Sequence, residues 1–134
     1  MDKNKKISVS LFLLRLGVFV VMFVWTLDKF IRPEHAINVF KHFYFLDSLS
    51  PTVLLGIAIV EILILIGFLI GFRKKLTYGT VLVFHGISTF SSYKQYLSPF
   101  DKGNLLFFAA WPMLAACITL YLLRDLDDLY VISR

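Results

Sequence analysis

Four long apolar runs, separated only by short charged or Pro- and Gly-bearing segments, fill almost the whole chain. They cover roughly Val9–Phe30, Pro51–Phe72, Leu76–Leu97 and Leu105–Leu123. Each is about 20 residues long, and at about 1.5 Å of rise per residue each helix crosses a hydrocarbon core of about 30 Å. A helix in the core of a water-soluble protein has no need of that length. Composition agrees: 58% of the 134 residues are apolar, and the mean hydropathy is +0.77. The chain leaves no room for a separate soluble domain. The expected fold is all-α, a single transmembrane domain over residues 1–134 built as an integral membrane four-helix bundle.

The first run is expected to remain as an anchor. It is longer than the apolar stretch of a signal peptide, and its exit, Leu27-Asp28-Lys29-Phe30, offers no small-x-small cleavage site.

Lys and Arg set the expected orientation. Lys3, Lys5, Lys6, Arg73, Lys74, Lys75, Arg124 and Arg134 fall on one side, and Lys29, Arg32, Lys41, Lys94 and Lys102 on the other. The basic loop residues of the more positive side are retained in the cytoplasm, so both termini are expected there, in the cytoplasmic (inner) membrane. The net charge of +5 suits anionic lipid headgroups. Nucleic acid is a poor partner, because the basic residues sit at span boundaries and not along one soluble face.

The long outer connection carries a second pattern. Ile37, Phe40 and Tyr44 recur at three- and four-residue steps, while His35, Asn38, Lys41 and His42 fall mainly on other faces. Pro33 suits a first helical turn, and Glu34 suits the positive end of the helix dipole. The spacing predicts a short amphipathic interfacial helix over 33–45, between spans one and two. Asp47 to Ser50 reads as a stop, with Ser50 capping a helix that restarts at Pro51.

Ionisable groups inside the spans are the first candidates for function, because they are costly in lipid and need partners. Counted from the basic ends, Arg15, Glu61 and His85 lie roughly 13, 18 and 15 Å deep. Once tilt is allowed these depths overlap. Arg15 and Glu61 are therefore expected to pair, with His85 beside them. This layer either clasps the helices or binds the polar head of a lipid-soluble ligand such as a quinone. Trp25, Ser88 and Ser92 lie toward the outer side as further ligand-binding candidates, and Ser91 and Asn104 as lining of an outer vestibule. His35 and His42 are candidates for proton exchange above that vestibule, since imidazole titrates near neutrality.

Several chemistries are excluded or disfavoured. Cys117 is the sole cysteine, so the chain holds no intramolecular disulfide and no redox pair. His35 and His42 are about 10 Å apart along a helix, too far for one metal, so no metal site is expected. A nucleotide-binding glycine loop, a nucleophile elbow and a zincin motif are all missing from the sequence.

Two stretches carry a family resemblance. One is Arg15-Leu-Gly-Val-Phe19 with the later Trp25 and the closing Asp28-Lys29-Phe30. The other is Glu61, then Ile66-Gly67-Phe68-Leu69-Ile70-Gly71, then Arg73. These resemble the first and second spans of the DoxX-like family, whose four spans match this chain over most of its length. The matching positions are Arg15, Gly17, Lys29, Glu61, Gly67 and Arg73. The resemblance implies a cytoplasmic-membrane bundle, and some members of that family are linked to quinol oxidation or redox-protective complexes. It supplies no catalytic mechanism.

Three functions stay open. One is an accessory subunit of a quinone-linked membrane redox system, holding an apolar small molecule or lipid and docking a redox partner protein. Another is a small carrier or channel-like protein, which at this size would work as a homo-oligomer. The third is a structural partner protein without ligand.

Overall fold

The computed structural model describes residues 1–45 and 49–132, so Asp47 and Arg134, both used above, lie outside the described residues. Those residues form an all-helical chain. It contains α1 (Lys3–Ile31), α2 (Pro33–Tyr44), α3 (Pro51–Leu69), α4 (Lys74–Ser91), α5 (Tyr93–Leu97) and α6 (Ala110–Leu122). A 3-10 segment, Asn104–Ala109, leads into α6, and a second, Arg124–Leu126, follows it. Three helices are long and apolar enough to cross a membrane: Lys3–Ile31, Pro51–Leu69 and the joined Asn104–Leu122.

Local chemistry accounts for the boundaries. Asp2 caps α1 by accepting from the Lys5 backbone N–H at 2.8 Å, and Lys29 stands in the last turn, where the helix dipole favours a cation. Pro33 opens α2, Glu34 lies in its first turn, and Phe45 closes it in the left-handed region at φ 59°. The sequence-predicted helix over 33–45 is thus present as Pro33–Tyr44. Ser50 caps α3 by accepting from the Val53 N–H at 3.2 Å, and Pro51 takes the first helical position.

Two of the expected spans are not continuous α-helices. The run Leu76–Leu97 breaks at Ser92, whose N–H turns back to the Thr89 carbonyl, so α4 and α5 are separate. Serine hydroxyls compete for helix carbonyls and weaken the ladder here: Ser91 Oγ donates to the Ile87 carbonyl and Ser92 Oγ to the Ser88 carbonyl. The run Leu105–Leu123 begins as a 3-10 helix because Pro112 has no N–H for the Phe108 carbonyl. Proline is tolerated in a first turn, and the α-helix proper starts at Ala110.

The long helices pack in a ring: α1 on α3, α3 on α4, α4 on α6, and α6 back on α1. The buried core is displaced toward the end that carries Lys5, Arg73 and Lys74. Leu11, Val18, Leu65, Phe68, Tyr78, Val81, Cys117 and Leu120 fill that half. Cys117 is a packing residue there, 2% exposed.

After α6 the chain doubles back across this basic end. The Ile132 N–H donates to the Ile70 carbonyl at 2.9 Å, Ser8 Oγ donates to Asp128 Oδ1 at 2.6 Å, and Tyr130 meets Phe12 edge-on at 5.1 Å. The α3–α4 turn must pass under this segment. Gly71 does so at φ +71°, where an added Cβ would stand 2.6 Å from Val131. Gly71→Ala combines a strained backbone with a steric clash and is expected to cost about 2–3 kcal/mol. A chemical melt of the purified variant checks this, and an unchanged midpoint would show that the tail does not dock as described.

Candidate functional site

The ionisable residues of the helices separate into two groups, and they do not form the single layer expected from depth. At the basic end, Arg15 is fully buried and pairs with Asp127, not with Glu61: Nη1 lies 2.7 Å from Asp127 Oδ1, and both side chains are 0% exposed. Tyr78 donates to the other carboxylate oxygen at 2.6 Å. Arg15 Nη2 donates to the Leu129 carbonyl at 2.5 Å. Lys74 Nζ donates to the carbonyls of Asp127 and Arg124 at 2.5 and 3.2 Å. Desolvation holds the Lys74 ammonium below the usual lysine range, against the opposing pull of Asp127. Every one of these bonds to the tail is made by a residue of α1 or α4. The cluster is a buried polar lock that fastens the C-terminal segment to the helices.

Glu61 sits in a different place. It accepts from Thr26 Oγ1 at 2.9 Å and pairs with Lys29 at 3.1 Å, both near the far end of α1. Thr26 is eleven residues beyond Arg15, about 16 Å along the helix. The Arg15–Glu61 pair expected from the sequence is therefore overturned by register. The Lys29 ammonium also lies 5.7 Å from the Phe40 ring centroid, which ties α2 over this end.

Around Glu61 the helices border a cavity of about 1670 Å³ that opens to the surface. Its apolar walls include Leu14, Gly17, Val21, Ile57, Val60, Met113 and Ala116. Phe40, Phe43 and Tyr44 of α2 and Phe107 of the 3-10 segment line it as well, and Phe43 meets Phe107 at 5.9 Å. Its polar groups come from Thr26, Asp28, Lys29, Arg32, His35, Glu61, His85, Ser88 and Ser92. The molecule is thus packed in its basic half and hollow in the other.

Of the residues singled out in the sequence, Trp25, His35, Glu61, His85, Ser88 and Ser92 line this cavity. Arg15 and His42 are not among its lining residues. His42 instead stands edge-on to Phe43 at 4.8 Å. Ser91 and Asn104, expected beside a vestibule, bond to the backbone carbonyls of Ile87 and Ser98 and lie outside the lining. His35 Nδ1 lies 2.6 Å from Asp28 Oδ2, and Arg32 Nε bonds the other carboxylate oxygen at 2.6 Å.

His85 is fully buried. Its Nε2 lies 2.9 Å from the Ala110 carbonyl, and the Trp25 ring stacks on it at 6.1 Å with 27° between the planes. Among the described residues no group of three His, Cys, Asp or Glu side chains is arranged to hold a metal ion.

Comparison of the chain with protein-family models, curated proteins and solved structures gives no match.

The sequence reading missed Asp127 and Tyr78. Asp127 lies beyond the last apolar run, in a stretch that reads as an ordinary polar tail. Its only signal is that three acids, Asp125, Asp127 and Asp128, stand within four residues of one another next to a predicted basic face.

Proposed function

We propose that the protein is a small multi-pass membrane protein of the DoxX-like type that holds an amphiphilic apolar molecule in the cavity of its outer half. In this reading α1, α3, α4 and α6 form a four-helix bundle across the cytoplasmic membrane. Both termini are cytoplasmic, and α2 lies at the outer surface as a brace over the cavity mouth. The side chains that face outward support membrane insertion. Leu63 is 65% exposed, Phe90 65%, Leu105 59% and Leu122 69%, a surface suited to lipid tails and costly in water. The basic residues of the loops support the orientation.

The observation that carries the binding reading is the cavity itself. Ligand sites are concave and mostly apolar, with a few polar groups that fix orientation, and they commonly span about 300–1,000 Å³. At about 1670 Å³ this one exceeds that range, and its mostly apolar walls carry polar side chains such as Thr26, Lys29, Glu61, His85 and Ser88. That lining suits a molecule with an apolar body and one polar head. Membrane lipid and quinone-like molecules both have this form. The link to a membrane redox system rests on the family resemblance. The packed basic half weighs against a path through the bundle, and so against a carrier.

Two glycines provide the test. Gly17 and Gly56 line the cavity, and an added Cβ at either meets nothing within 4 Å. Both positions accept a Cβ without a clash, so Gly17→Phe and Gly56→Phe direct a bulky side chain into the space. Replacing glycine inside a helix also tends to stabilise the helix, by up to about 1 kcal/mol. Quenching of tryptophan fluorescence by decylbenzoquinone in a Trp111→Phe background reads occupancy beside Trp25. The double filled variant is expected to bind at least about tenfold more weakly with unchanged helix content. Equal quenching in both proteins would remove the cavity as the binding site.

A further inference from the structure

Every fixed charge on the cavity wall already has an opposite partner. Lys29 pairs with Glu61 at 3.1 Å, and Asp28 takes Arg32 and His35 at 2.6 Å each. A charged headgroup entering the cavity would meet no uncompensated counter-charge, and it would have to give up its hydration. The wall is built for a neutral head.

One buried polar atom of the wall has no partner among the described residues: Nδ1 of His85. Its chemistry follows from the other ring nitrogen. The Ala110 carbonyl can only accept, so Nε2 carries the hydrogen and donates at 2.9 Å. In the neutral imidazole Nδ1 is then a bare lone pair, an acceptor awaiting a donor. A buried acceptor left unmatched is costly and uncommon in a folded protein. Trp25, stacked on the ring, lines the same cavity. Ser88, three residues further along α4, stands in the same wall and supplies a hydroxyl that can donate to the oxygen of such a ligand.

We propose that the cavity selects a neutral amphiphile whose head carries a hydroxyl group, which donates its hydrogen to His85 Nδ1 beneath Trp25. The proposal rests on the amphiphile-binding reading and narrows it to one chemical class. Neutral lipids with a free alcohol and hydroquinones share this chemistry.

Matched pairs separate the proposal from the reading beneath it. One pair is decylhydroquinone, kept anaerobic, and its dimethyl ether. The other is dioleoylglycerol and its O-methyl ether. Each is titrated into the purified Trp111→Phe protein, and Trp25 emission is followed. In at least one pair the hydroxyl compound is expected to bind about tenfold more tightly than its ether, the worth of one neutral hydrogen bond. The pair that discriminates identifies the source, and discrimination in either supports the proposal. His85→Phe should bring the ratio to about one while the ether still binds. Should that variant fail to fold, the wild-type ratio alone decides. Equal binding within both pairs overturns the proposal and leaves the cavity reading standing. Failure of all four compounds to bind overturns both.

Discussion

Asp127→Ala is expected to destabilise the protein by about 3–5 kcal/mol, the usual effect of removing one partner from a buried ion pair. Arg15 and Asp127 are both 0% exposed, so no water takes the place of the lost carboxylate. Arg15 would keep the Leu129 carbonyl at 2.5 Å and a long contact to the Tyr78 hydroxyl at 3.4 Å, neither of which carries a counter-charge. Tyr78 would lose the acceptor it now reaches at 2.6 Å. The double replacement Arg15→Met, Asp127→Leu removes the naked charge together with its mate and should recover most of the loss. Equilibrium unfolding in mixed micelles measures all three variants. If Asp127→Ala falls within about 0.5 kcal/mol of wild type, the buried lock does not form.

A smaller loss, about 1–2 kcal/mol, is expected for Lys29→Met, because this pair keeps some access to water: the side chains are 13% and 18% exposed. Glu61 would retain only the Thr26 hydroxyl at 2.9 Å, and the Phe40 ring would lose the cation that holds α2 to α1. The sharper result is a pair of double-mutant cycles. Arg15 and Glu61 stand in separate networks, so their substitutions should add to within about 0.5 kcal/mol. Lys29 and Glu61 should show a coupling of about 1 kcal/mol. Strong coupling between Arg15 and Glu61 would instead restore the single mid-bundle layer and undo the assignment made above.

The contrast between these cycles shows where sequence reasoning held and where it did not. Runs of about 20 apolar residues located every long helix, because a long apolar stretch free of turn residues favours a helix. The Ser50 cap, the Pro33 start and the stripe of Ile37, Phe40 and Tyr44 announced α2 and the beginning of α3 through local chemistry alone. Side-chain depth was another matter. Counting residues from Arg73 placed Glu61 level with Arg15, but α3 ends at Leu69 and a turn intervenes. Residue counts carry no information about how far one helix slides along its neighbour. The break at Ser92 and the late α-start at Ala110 were written in Ser91-Ser92 and Pro112, signals that hydropathy outweighs. Arg15 stood out as a charge in need of a partner. Which acid would supply it depends on the path of the tail after α6, and neither periodicity nor spacing encodes that path.

The reach of the lock has a consequence for how the protein is made. Arg15 belongs to α1, and its counter-ion follows 112 residues later in the chain. Until that residue has been made the guanidinium lacks the partner it has in the folded chain, and with α1 in a bilayer it would reach for the nearer headgroups. The basic end can therefore close only after α6 has been delivered and the tail has folded back. A chain cut before Asp127 would carry at Arg15 an unanswered cation where the folded chain has a buried ion pair, so the docking of the tail is recorded as the loss of one local charge.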